Sequence, residues 1–170
     1  MEYGEVIKNR YSIRDFSSKK IEDEKLEKIL EAGLIAPTAR NMQPLKIFVI
    51  QSKENLEKIN SVSPCIYGAN TVLAICYDVD ISAKNTLSEK DFGEQDASIV
   101  CTYMMLEATN LGLGSVWVGM FDSNKFREFF DLPKNIIPVC LLPVGYIGEN
   151  AKPSTNHTKR KNKGEIYVRL

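Results

Sequence analysis

The stretch TVLAICYD, residues 71–78, runs six apolar residues together without a polar interruption. A strand with one wet face alternates apolar and polar side chains, whereas a strand buried on both faces is apolar throughout. The segment therefore reads as an interior strand of a sheet covered on both sides, which restricts the chain to layers of helices around a sheet. The remaining segments supply those layers. IIPVCLLPVGYIG, residues 136–148, reads as another apolar strand, with Pro138 and Pro143 at its ends or irregular points. KIFVIQ, residues 46–51, reads as a buried strand, and EIYVRL, residues 165–170, as a terminal one.

Helical periodicity fills the intervals. In IEDEKLEKILEAGLIAP, residues 21–37, Leu26, Ile29, Leu30, Gly33 and Leu34 recur at three- and four-residue spacing. Acids open this segment and Pro37 closes it, as an amphipathic helix requires. A short helix is expected from Glu2 to Asn9, another from a Ser52 cap to about Ile59, and a third from Asp122 or Ser123 to about Phe130. Residues 91–111 form the longest helical segment. It is apolar or small nearly all round, so it should lie between layers or against a second subunit. The polar loop at 80–90 is expected to move.

Composition narrows the chemistry. The 170 residues suit one domain, 1–170, large enough for a core without disulfides or metals. Lys plus Arg and Asp plus Glu number 22 each, so no basic field points to nucleic acid. Cys65, Cys76, Cys101 and Cys140 show neither a disulfide framework nor zinc spacing, and read as small buried hydrophobes. The single histidine, His157, lies in a polar tail, which argues against a histidine metal site or a Ser-His-Asp relay. There is no run of about 18 apolar residues and no leader-like N-terminal segment, so no membrane partner and a cytoplasmic location are expected.

Three stretches remain that ordinary packing does not explain. In RYSIRDF, residues 10–16, the side chains of Arg10, Ser12 and Arg14 share one face if the segment is extended, which suits an anion. In APTARNMQPLKIF, residues 36–48, Thr38, Asn41 and Gln43 offer donors and acceptors between Pro37 and Pro44. GLGSVWVG, residues 112–119, lacks the order of a dinucleotide fingerprint, but its glycines allow the backbone close to a flat ligand.

In this order and spacing, Arg-x-Ser-x-Arg-x-Phe followed by Ala-Pro-Thr-x-x-Asn-x-Gln-Pro resembles the FMN-dependent nitroreductase family across essentially the whole chain. The resemblance implies an α+β fold: a nitroreductase-like three-layer α/β/α sandwich with a mixed, mainly antiparallel central sheet, in an intertwined homodimer with FMN at the subunit interface. It implies that Arg10, Tyr11 and Ser12 lie along the phosphate and ribityl chain and that Arg14 faces the pyrimidine edge of the ring. Pro37, Thr38, Asn41 and Gln43 would approach from the partner subunit. Trp117, Val118 and Gly119 would lie along the ring near N5, with a Gly119 N–H as donor there, and Arg160 with Lys161 would supply a tail contact to the phosphate. The implied reaction passes a hydride from NADH or NADPH through FMN to an electron-poor acceptor such as a nitroaromatic or quinone, without a catalytic side chain. The alternatives are an FMN-binding sensor or carrier without turnover, and dehalogenation, dehydrogenation or flavin fragmentation on the same scaffold. Leu45 stands where many members carry an aromatic residue, so substrate preference does not carry over.

Overall fold

The computed structural model describes all 170 residues. Four strands form one sheet: β1 (Leu45–Ile50), β2 (Thr71–Asp78), β3 (Gly114–Ser115) and β4 (Ile136–Gly145), in the spatial order β1-β2-β4-β3. Every named pair is antiparallel, and a single parallel bridge, Ser12 to Ser115, makes the sheet mixed. Strand β2 is buried along seven of its eight residues, as its unbroken apolar run requires. Its alternate side chains feed two cores. Val72, Ala74 and Cys76 point into a cluster with Ile59, Val62 and Phe126, whereas Leu73 and Ile75 point into one with Ile29, Val100 and Met104.

The first cluster is covered by α3 (Lys53–Val62) and α5 (Ser123–Phe129). The Ser52 hydroxyl caps α3 by accepting from Asn55 N–H (3.3 Å), and the Asp122 carboxylate caps α5 by accepting from Asn124 and Lys125 N–H. The second is covered by α4 (Gly93–Asn110), on which α2 (Asp23–Leu34) packs. The crossing of α2 over α4 is close at Gly33, where an added Cβ would lie 2.9 Å from Met104 Sδ. Helix α1 (Tyr3–Asn9) lies beside α4, and a short α6 (Lys163–Ile166) falls in the tail. No helix is long and apolar enough to cross a membrane.

Strand β4 contains Pro138 and Pro143. Its register against β2 slips between Ile75 and Cys76, which face Cys140 and Pro138, leaving Val139 as the extra residue of a bulge. The slip exchanges the faces, so Ile136 and Leu141 both reach the first cluster despite opposite parity. Pro143 accepts from Val116 N–H (3.2 Å), so its missing donor falls on the side of the short β3. Cys76, Cys101 and Cys140 are buried and free, and burial pushes the Cys76 thiol up to about 12, with Cys140 adding to the rise.

Two strand expectations need correction. KIFVIQ is not interior: β1 pairs only with β2, and Lys46 and Val49 are exposed on this edge. A charged residue on an edge strand opposes further pairing. EIYVRL forms no strand; its start closes α6 and residues 167–170 run unpaired and exposed. Leu34, placed on the apolar stripe of α2, is exposed as well.

Residues 10–16 run across the end of the sheet in extended form. Ile13 N–H donates to Ser115 C=O (3.0 Å), Phe16 N–H to Tyr67 C=O (3.3 Å) and Ser17 N–H to Tyr146 C=O (2.9 Å). Ile13 and Phe16 are buried, and Ile13 fits against Gly114, where a Cβ would lie 2.4 Å from its Cγ1. Gly114→Ala is therefore expected to lower unfolding stability by about 1–3 kcal/mol through overpacking. Urea unfolding with an unchanged midpoint would contradict this packing.

Candidate functional site

Because Ile13 is drawn inward, its neighbours on either side turn outward. Arg10, Ser12 and Arg14 line one open groove, about 360 Å³ in volume, as the alternation of an extended segment predicts. The tail closes the other side of this groove. Arg160 lines it with Ser154, Asn156 and His157, and no carboxylate does. Three guanidinium groups, two hydroxyls, an amide and an imidazole therefore converge around a space able to take an anion with several oxygens. Arg160 Nη1 donates to the carbonyls of His157 (2.5 Å) and Lys159 (2.8 Å), which fixes the guanidinium in place. Arg14 Nη1 lies 3.4 Å from Ser12 C=O. Lys161 is exposed and does not line the groove. Tyr11 points elsewhere, toward the first core cluster, with its ring edge-on to His157 at 6.1 Å between centroids.

The second group of candidates is held by a strained loop. Between α2 and β1, Arg40, Asn41 and Gln43 all have φ near +50°, a conformation that costs a side-chain-bearing residue about 1 kcal/mol or more. The loop persists because it is tied at several points. Thr38 Oγ1 accepts from Gln43 N–H (3.0 Å), Gln43 Nε2 donates to Asn41 C=O (3.3 Å), and Ala39 N–H donates to Asp96 Oδ1 on α4 (2.8 Å). Pro37, Asn41 and Gln43 are exposed. Thr38 and Gln43 border an apolar groove, also about 360 Å³, formed with Leu30, Leu34, Ala36 and Ile47. Within one chain this groove and the arginine groove share no residue.

The third group follows β3. Val118 is buried, and its N–H and C=O both pair with Leu141 (2.9 Å each). Its backbone is therefore committed to the sheet. Trp117 is half-buried against the second core cluster. Gly119 is exposed, its N–H has no backbone acceptor, and nothing lies within 4 Å of where its Cβ would stand. An exposed amide without a partner is available there for a ligand.

Residues 7–65 and 63–146 match the model of the Nitroreductase family. This chain belongs to the nitroreductase family. A nitroreductase family protein of Clostridium difficile 630 shares 40% identity, with 99% of this chain and 98% of that chain covered at a TM-score of 0.93. A Methanothermobacter thermautotrophicus protein, provisionally named NADH dehydrogenase/NAD(P)H nitroreductase, is 35% identical over 88% of this chain and 80% of its own length. The Bacillus subtilis protein named FMN reductase [NAD(P)H] is 28% identical over 97% of this chain and 75% of its own. The three-layer α+β architecture is thus the nitroreductase fold.

Two features lay beyond sequence reasoning. His157 reads in the sequence only as part of a polar tail, whereas the structure places it half-buried at the arginine groove, after a turn in the segment Pro153-Ser154-Thr155-Asn156. Asp96 had no signal at all: it sits inside the longest helix, 2% exposed, with Oδ2 unpartnered. Burial raises its pKa above the ordinary 3.8, opposed by the Ala39 N–H and reinforced by Asp91. A raised carboxylate pKa means that the ionised form weakens the folded state. The penalty is absent below the ordinary value and complete above the folded-state one. Asp96→Asn keeps an acceptor for Ala39 N–H and removes the charge. It is expected to exceed the wild type in thermal stability at pH 8 and by much less at pH 4; an equal difference at both pH values would contradict the assignment.

Proposed function

We propose that this nitroreductase family member is an FMN-dependent, NAD(P)H-consuming oxidoreductase whose 170 residues form one cofactor-binding domain. The carrying observation is the acid-free groove of Arg10, Ser12, Arg14 and Arg160, held by the pinned segment and the tail. Its donor set fits a phosphate monoester, and the flat, apolar part of such a cofactor fits the exposed Gly119 backbone at the end of the sheet. The names of the relatives, an NAD(P)H nitroreductase and an FMN reductase [NAD(P)H], support the same cofactor pair.

When bound, FMN supplies hydride acceptance and donation at N5, which lets NADH or NADPH reduce an electron-poor acceptor such as a nitroaromatic or quinone. The protein's part is binding and electrostatics. Arg10 and Arg160 hold the phosphate, and Ser12 adds a hydroxyl beside it. Arg14, exposed on the same face, places a cation where it lowers the cost of negative charge on the ring's pyrimidine edge. The Gly119 amide donates a hydrogen bond along the ring. No side chain is assigned as a general acid or base.

Thr38, Asn41, Gln43 and Pro37 belong to this site from a second copy of the chain. Their loop borders a different groove from the arginines in one protomer, and the surface between α1, α2 and α4 carries exposed apolar groups suited to a self-interface. There Tyr3 is 72% exposed, Ile35 76% and Tyr103 41%. A homodimer would cover them and bring the loop of one protomer to the arginine groove of its partner.

Anaerobic addition of NADH or NADPH to the FMN-loaded protein should bleach the flavin bands, and an acceptor should restore them. Retention of FMN without bleaching by either nucleotide would point to a non-catalytic carrier. Removing one charged phosphate contact, Arg10→Ala, should weaken FMN about 10- to 100-fold while leaving riboflavin nearly unchanged. Equal loss for both ligands would place Arg10 away from the phosphate.

A further inference from the structure

Resting on the FMN reading, in which the Gly119 amide meets the ring, we infer that Ser63 is a positioning residue for that amide. Ser63 is 1% exposed, so it reaches no ligand itself and acts through what it holds. Its hydroxyl donates to Met120 C=O (2.7 Å), one residue beyond Gly119, and accepts from Cys65 N–H (3.2 Å). Both roles of the hydroxyl are therefore used inside the protein. Ser63 is itself fixed as the residue that ends α3: its N–H donates to Ile59 C=O (3.1 Å), and Ile59 is fully buried in the first cluster. A second tie lies beside the first, from Asp122 N–H to Val62 C=O (2.9 Å).

Gly119 needs such a hold on its far side. Before it, Val118 C=O accepts from Leu141 N–H, and in a planar trans peptide the Gly119 N–H then points away from β4. After it the chain leaves the sheet, and a glycine with open space around it imposes little on its own dihedrals. The turn is closed by Phe121 N–H to Gly119 C=O (3.2 Å), and Ser63 anchors that turn at Met120. The hydroxyl, Met120 C=O, Phe121 N–H and Gly119 C=O form one hydrogen-bonded chain, in which each bond polarises the next. The stretch that begins at Ser63 also holds the segment that carries Arg14, because Tyr67 C=O accepts from Phe16 N–H (3.3 Å). One short connection between α3 and β2 thus ties the Arg14 segment and the Gly119 turn to one another.

The test compares the wild type with Ser63→Ala and Ser63→Thr by the Kd of FMN and of riboflavin, measured by flavin fluorescence, and by the two-electron midpoint potential of bound FMN. Loss of the hydroxyl in Ser63→Ala is expected to weaken both ligands about 3- to 10-fold, the size of one hydrogen bond, and to leave their ratio unchanged because the arginine groove is untouched. An N–H donor at N5 prefers the oxidised ring, whose N5 accepts, over the reduced ring, whose N5 carries its own hydrogen. The potential of Ser63→Ala is therefore expected to rise by about 15–30 mV, the same fold-change converted for a two-electron couple. Ser63 has φ −148°, extended backbone that threonine favours, so Ser63→Thr keeps the hydroxyl in place and should stay within about twofold of the wild type. Should Ser63→Ala not fold, Ser63→Cys keeps a weaker donor and carries the same readouts, with shifts of the same sign. A variant that loses thermal stability but keeps the wild-type riboflavin Kd and potential, or one that changes the ratio of the two Kd values, would overturn the inference while leaving the FMN site standing. Failure of the wild type to bind FMN would overturn both.

Discussion

The central pair β2–β4 is buried on both faces, and the other elements take the positions that those faces require. Burial of each Leu, Ile, Val or Phe side chain there contributes about 1.5–3 kcal/mol, more than any surface contact in the molecule offers. One face demands α3 and α5, the other α4 with α2 above it. Strand β3 pairs with β4 for only two residues, with further bonds to β4 from Val116 and Val118 beyond it, and the N-terminal segment attaches at that short edge through Ser115. The site is therefore a consequence of the core. Ile13 is pulled into the first cluster and bonded to Ser115, so Arg10, Ser12 and Arg14 have only the outside to face.

The same reasoning connects strain to function in the 38–43 loop. Three residues with positive φ would relax in a free loop. They are retained because α4, itself fixed against the sheet, offers the Asp96 carboxylate to Ala39 N–H. A buried, partly unpartnered acid and a strained turn each weaken the fold by themselves, and together they hold amide side chains exposed at one place. Such local costs are typical of binding sites built on a rigid scaffold.

Periodicity was a good guide wherever the local pattern and the tertiary environment agreed. TVLAICYD, the α2 repeat, the Ser52 and Asp122 caps and the long α4 were all readable because their burial follows directly from residue spacing. β1 misled because an apolar run reports affinity for a sheet and not whether a second neighbour exists; Lys46 was the sign of an edge. EIYVRL has strand composition but no partner strand within the chain. The arginine alternation was legible since an extended segment fixes which side chains share a face. The meeting of Arg10 with Arg160 came from the family resemblance and from no local pattern, and the placement of His157 in that groove and the tie from Asp96 were not legible, for each joins residues separated by at least 57 positions through packing.

The most direct test of the whole account is a crystal structure of the FMN-loaded protein. The account predicts the phosphate in the groove against Arg10, Ser12 and Arg160, Arg14 at the pyrimidine edge of the ring, the ring passing the Gly119 amide, and the 38–43 loop of a partner protomer closing the site. A phosphate bound away from those arginines, or a ring seated in the apolar α2–β1 groove of the same protomer, would contradict it.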